Sequence, residues 1–126
     1  MTTYPADELR DLAARALVAA GASPENAASV AAALVAAELD GLGSHGLSRL
    51  PFYADQVASG KVDGKAAPEL SRPAPAALVV DARSGFAFPA IEAGLARAEA
   101  MARETGVLAV AIGRSHHCGV AGHHVE

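Results

Sequence analysis

The chain has one cysteine, Cys118, so no internal disulfide framework is available, which fits a reducing compartment. It also lacks any excess of positive charge. Lys and Arg total 10 against 14 Asp and Glu, for a net charge of −4, with the two signs interspersed. Binding a phosphate backbone needs a basic face, so nucleic acid is excluded as the expected partner. Apolar runs break well before the roughly 18 residues of a spanning helix. The start, Met1 to Glu8, has neither the basic lead nor the apolar stretch of a signal peptide. No membrane partner is expected, and the expected location is cytoplasmic. What remains is 126 residues with 52% hydrophobic content, enough for one ordinary domain. The final residues, Val120 to Glu126, read as a helix interrupted as it starts, so an N-terminal fragment of a longer protein is expected.

Local signals divide the chain into elements. Pro5, then Asp7 and Glu8, favour a helix start. Leu9, Leu12, Ala13, Ala16, Leu17 and Ala20 follow at three-to-four spacing, up to a stop at Gly21. Ser23-Pro24-Glu25 opens a second helix with Val30, Ala31, Leu34 and Val35 as its apolar stripe, ended by Asp40-Gly41. Pro51 must fall in a first turn, so a third helix starts no earlier than about Leu47 and runs to Ser59. Residues 61–75, with Gly64, Pro68, Pro73 and Pro75, read as a linker. Ala77 to Asp81 reads as a strand and 82–85 as a turn. A helix opened by Pro89, with Ile91, Leu95, Ala98 and Met101 on one face, closes at Gly106. The continuous apolar run Val107 to Ile112 predicts a strand buried on both faces. The fold class expected is α/β in an α+β arrangement: a helical part, 1–72, then the start of an α/β domain, 73–126.

Two stretches carry chemistry. Residues 41–53 place Ser44, His45, Arg49 and Tyr53 around a helix entrance, with Arg49 and Tyr53 four apart on one face. A planar guanidinium, a phenol and an imidazole at a helix N-terminus suit a small carboxylate. Gly41, Gly43 and Gly46 also spell G-x-G-x-x-G. That dinucleotide fingerprint has meaning only between a strand and a helix, and here a helix precedes it. The second stretch, Gly113 to Gly122, follows the C-terminal end of a strand, where open α/β sheets place ligands. Its His117 is of the type that exchanges protons with an alcohol or carbonyl near neutral pH.

In these two blocks, and in Asp81 to Phe88 between them, the sequence resembles the malate/L-lactate dehydrogenase type 2 family. Ser44-His45-Gly46 with Arg49 and Tyr53 is similar to one signature of that family; Ser115, His117, Gly119 and Gly122 are similar to another. The resemblance covers essentially the whole chain. It implies a non-Rossmann cofactor-binding fold and NAD or NADP as cofactor. It implies hydride transfer between nicotinamide and a small 2-hydroxy or 2-oxo acid, and a homodimer at full length. Residue by residue, it implies His117 as general acid/base, Arg49 holding the substrate carboxylate, and Tyr53 supporting it. His45, helped by Ser44, would hydrogen-bond the substrate or the nicotinamide amide. Most of the cofactor site would lie beyond these residues, leaving a fragment inactive by itself.

The alternatives are a cyclic imino-acid reductase of the same family and a non-catalytic helical α/β module. His116, His117, Cys118, His123, His124 and Glu126 suggest a metal cluster. Yet adjacent His-His-Cys cannot readily turn all three side chains to one tetrahedral ion, and no paired C-x-x-C or H-x-x-x-H is present. No metal is expected. Cys118 reads as a small residue packed behind a glycine turn rather than a nucleophile, and His116 as passive.

Overall fold

The computed structural model describes residues 2–125. Helix α1 (Ala6–Ala20) carries Asp7 and Glu8 in its first turn, and α2 (Pro24–Leu39) follows after a short turn. Ser23 caps α2 by accepting the Asn26 N–H at 3.2 Å, and Pro24 occupies the first turn, where its missing N–H costs nothing. Val30 and Leu34 of α2 pack on Leu17 of α1, and α3 (Leu50–Ala58) adds Tyr53 and Val57 to the same core. Two short 3-10 turns, Gly43–His45 and Leu47–Arg49, lead into α3. Ser44 and His45 therefore sit in a tight turn rather than in the open loop expected.

The stretch expected to be a linker contains a strand. Here β1 (Glu69–Ala74) runs antiparallel to β2 (Ala77–Asp81), with Glu69 opposite Asp81 and Leu70 opposite Val80. Pro73 hides the strand from a reading by hydropathy; an exposed edge strand tolerates it, and the register shifts between Ser71 and Ala74. The expected boundary at 72/73 falls inside β1.

Helix α4 (Ala87–Thr105) then crosses to β3 (Ala109–Gly113), which lies parallel to β2 and completes a sheet of order β1-β2-β3. Pro89 is the third residue of α4, within the turn whose N–H groups have no helical acceptor. The expected apolar face of α4 holds at Met101, and in part at Ile91 and Ala98, but not at Leu95. Leu95 is 49% exposed, and the buried positions are Ala87, Phe88, Ala90, Gly94 and Met101. Small residues decide this: a Cβ at Gly94 would lie 3.2 Å from Val110 and 3.3 Å from Val80, so helix and sheet meet through a side-chain-free spot. The sequence reading of β3 as buried on both faces also fails. Val110 and Ile112 point to α4, though Val110 is still 36% exposed, and Ala109 and Ala111 are exposed on the face that no described element covers.

Helices and sheet are joined by specific contacts. The buried Asn26 amide donates to Gly64 O at 2.9 Å and Ala66 O at 3.0 Å, and Ser29 donates to Glu92 at 2.7 Å. Phe86 and Phe88, at the entrance to α4, insert into the helical core beside Tyr53. That insertion brings the strand ends to the helical layer. No helix of the described residues is long and apolar enough to cross a membrane.

Candidate functional site

The site is assembled from the 3-10 turns and α3 on one side and the segment after β3 on the other. Glu38, in the last turn of α2, accepts the Leu47 N–H at 2.9 Å. A Cβ at Gly46 would overlap that same carboxylate, so only glycine leaves room for this cap. The turn is further closed by Ser48 donating to Gly43 O at 2.6 Å and Arg49 Nε donating to Ser44 O at 2.7 Å. Ser44 Oγ and His45 Nδ1 are hydrogen-bonded at 3.0 Å. Arg49 is thereby fixed through Nε, while its two terminal nitrogens have no partner among the described residues. Sequence reasoning missed Glu38, because an acidic residue at a helix end normally reads as solvated.

On the other side, Asp81 at the end of β2 is paired with Arg114 just beyond β3, through Nε at 2.9 Å among other contacts. The Arg114 guanidinium holds the Asp81 carboxyl below the usual carboxylate range. The Ser84 N–H donates to Arg114 O and the His116 N–H to Gly85 O, fastening residues 114–116 to the turn after β2. Ser115 is exposed.

The two sides meet at His117. Tyr53, only 1% exposed, places its hydroxyl 3.2 Å from His117 Nδ1, and the Gly119 N–H points to the same nitrogen at 3.3 Å. An amide N–H can only donate, so Nδ1 is the acceptor and the neutral ring carries its proton on Nε2. Gly119 is required twice over: its φ is +66°, and a Cβ would meet the Phe88 ring at 3.0 Å. Burial pushes the Tyr53 phenol up to about 12, partly offset by the positive charge of Arg49. His117 is lowered, by burial first and then by Arg49 and His45. His116 is also lowered, by burial and by His117. The phenol thus stays protonated and donates, and His117 favours its neutral form.

Of the residues singled out in the sequence, Tyr53 and His117 are hydrogen-bonded across 64 residues of chain, and Arg49 and His45 act on His117 by charge. Ser44 touches His45 and, through its carbonyl, Arg49. Tyr53 is buried against the imidazole, not open to solvent. Cys118, expected to pack behind the turn, is exposed. Its carbonyl is hydrogen-bonded to His124 Nε2 at 2.9 Å. Among the described residues no three His, Cys, Asp or Glu side chains converge into a metal-holding group; Glu126 of the expected cluster lies outside the described residues.

A nicotinamide dinucleotide fits these residues only in part. Gly41, Gly43 and Gly46 follow a helix instead of a strand, and Glu38 fills the space beside Gly46, so no pyrophosphate cradle is formed there.

Fold and sequence together place the chain in one family. The chain belongs to the malate/L-lactate dehydrogenase family, whose sequence profile matches residues 4–126. It is 54% identical over 121 residues to the (2R)-3-sulfolactate dehydrogenase (NADP(+)) of Chromohalobacter salexigens, covering 94% of this chain and 35% of that protein. The crystal structure of Δ1-piperideine-2-carboxylate reductase from Pseudomonas syringae pv. tomato superposes with a TM-score of 0.95 at 40% identity. That match covers 100% of this chain and 38% of the reductase. Malate dehydrogenase from Pyrococcus horikoshii gives 0.88 at 32% identity, over 98% of this chain and 35% of its own. The chain spans about a third of the length of the relatives it matches.

Proposed function

We propose that the chain forms the substrate and proton-transfer part of an NAD(P)-dependent oxidoreductase acting on a small 2-hydroxy or 2-oxo acid. The observation that carries this reading is the Tyr53–His117 pair, whose geometry leaves Nε2 of His117 as the proton-exchanging atom beside a fixed Arg49. In the oxidative direction His117 accepts the proton of the substrate hydroxyl; in the reductive direction it returns one to the carbonyl oxygen. Tyr53 acts through His117, holding the ring by its donated hydrogen bond. Arg49 offers its terminal nitrogens to the carboxylate as a planar two-point grip. His45, oriented by Ser44, hydrogen-bonds the substrate or the nicotinamide amide. The nicotinamide, when bound, would accept the hydride in the oxidative direction and supply it in the reductive one. Residues 1–72 serve the substrate side and 73–126 begin the cofactor side, with a homodimer as the working assembly.

A second reading, reduction of a cyclic imino acid, is favoured by the 0.95 superposition on a piperideine-carboxylate reductase. The same carboxylate grip and proton donor serve both. A chimera tests them: residues 4–126 replace the matching third of the Chromohalobacter salexigens dehydrogenase. Turnover of oxo acids and cyclic imines is then followed by NAD(P)H absorbance. Arg49→Lys in that chimera should raise KM for the acid, because an ammonium cannot reproduce the bidentate grip. An unchanged KM would remove Arg49 from the site, and a chimera inactive on every acid would remove the functional reading.

A further inference from the structure

His116 is the residue the proposed chemistry does not use, and its surroundings are unusual for a surface loop. Its ring stands edge-on to Tyr53 (5.1 Å between centroids, 81°) and to Phe86 (6.1 Å, 84°). Phe52 lies at 6.1 Å and the His117 ring at 4.4 Å. Its Nδ1 is shut off from solvent and has no hydrogen-bond partner among the described residues. Protonating the ring would leave a charged N–H donor buried with no acceptor, which is costly. His116 is therefore a neutral ring held in an aromatic box, even though histidines are ordinarily at home in water.

The far side of that ring is wet. An open cavity of about 240 Å³ is lined by Lys61, Val62, Ser84, Arg114, Ser115 and His116. Neither Tyr53 nor His117 lines it. His116 thus has one side on this cavity and the other on the phenol–imidazole pair.

We propose that His116 is a positioning residue, a dry partition that keeps the cavity's water from the Tyr53–His117 hydrogen bond. The inference rests on reading His117 as the proton-exchanging group, but it concerns the wall around that group rather than the identity of any substrate. A neutral donor–acceptor pair gains strength when water cannot compete for its atoms. Tyr53 is buried while His117 is exposed on its outer side, so the partition dries only the inner side of the bond, where it disfavours phenolate and adds to the burial that disfavours imidazolium. The charged or titratable groups facing His117 from its other sides are His45 and Arg49 on the 3-10 turns, Tyr53 on α3, and the neighbouring Cys118. Arg49 and His45 oppose imidazolium by charge; His116 opposes it by excluding water.

The test is ring titration by NMR of the histidine-labelled chain, which needs neither substrate nor cofactor. In the unaltered chain His117 should titrate below its ordinary value of about 6.5, and His116 should titrate lower still. His116→Ala should open the wall and move the His117 titration up toward the ordinary value. His116→Phe, which restores the bulk without a titrating group, should leave it low. An unmoved His117 in His116→Ala would overturn the proposal. So would His116→Phe raising His117 as far as the alanine does, since charge and not dryness would then be responsible. If His116→Ala fails to fold, the unaltered chain still decides: a His116 that protonates at or above the ordinary value cannot be a neutral partition. Failure of the chimera on every acid with these titrations intact would sink the functional reading and leave the partition standing.

Discussion

At His117 two donors converge on one ring nitrogen, which leaves the other for the proposed chemistry. With Nδ1 committed to Tyr53 and the Gly119 amide, the proposed proton exchange falls to Nε2. His117→Ala in the chimera should lower turnover by about 10²–10⁴-fold, the usual worth of a positioned acid–base group. Wild-type turnover would withdraw the assignment. The same residues set a stability window. Tyr53 titrates near 12 when folded and near 10 when unfolded, so its contribution is present below pH 10 and is lost as pH rises from 10 through about 12. His116 and His117 have the opposite sign of shift for a base. Their folded values lie below about 6.5, so the unfolded chain takes up protons first and stability falls as pH drops beneath that value. Urea midpoints measured across pH should form a plateau between these limits, and Tyr53→Phe should flatten the alkaline fall. An alkaline slope unchanged by that substitution would contradict the burial argument.

At the scale of elements, the turn between α2 and α3 depends on one carboxylate meeting one missing side chain. Glu38 caps Leu47 only because Gly46 has no Cβ. Gly46→Ala should swing the flexible carboxylate aside and lose the cap, at about 0.5–2 kcal/mol, the range for a lost cap. Glu38→Ala should cost a similar amount, and the double variant should cost clearly less than the sum, since both remove one interaction. Additive losses in thermal or urea unfolding would show that the two act separately. Legibility divides along the same line between local and distant causes. The α2 start was readable from Ser23-Pro24, and the α4 end from Gly106, because caps and stops are made by neighbours. Strand β1 was not, since Arg72 and Pro73 fit an exposed edge whose pairing is set by β2. Leu95 does not belong to the buried face of α4, because Gly94, with no side chain to count, is where the sheet presses in. In the site, the residue types and Arg49–Tyr53 spacing were legible from positions four apart. The Tyr53–His117 bond, across 64 residues, and the aromatic box of His116 were not, being made by side chains far apart in the chain.

The whole molecule has a helical layer with a filled core and a sheet covered on one side only. Leu78 and Val80 are buried under α4, but Val79, Ala109 and Ala111 face outward, and among the described residues no strand pairs with the outer edge of β3. Parallel strands are normally covered on both faces, and a bare edge recruits other chains. The Ala109 N–H donates to Ala76 O, so by alternation Val110 and Ile112 direct their N–H and C=O groups to the free edge. The isolated 126-residue chain should therefore associate as its concentration rises, and sedimentation should show it. Ala111→Lys should reduce the association without disturbing α4, because position 111 faces away from the helix. Val110→Pro should reduce it by removing an edge donor that β2 does not use, at some cost in packing against Gly94. Association insensitive to both would place the contact elsewhere, on the exposed Leu12 side of α1, for example. The same incompleteness governs the cofactor. With no pyrophosphate cradle at Gly41 to Gly46, calorimetry on the isolated chain should register no NADP binding. Hydride transfer needs the nicotinamide held at near-attack distance, a large share of catalysis, so the isolated chain should also show no turnover. Tight binding with turnover by a monomeric 126-residue chain would refute both the bare-sheet argument and the division of labour between these residues and the rest of a family member.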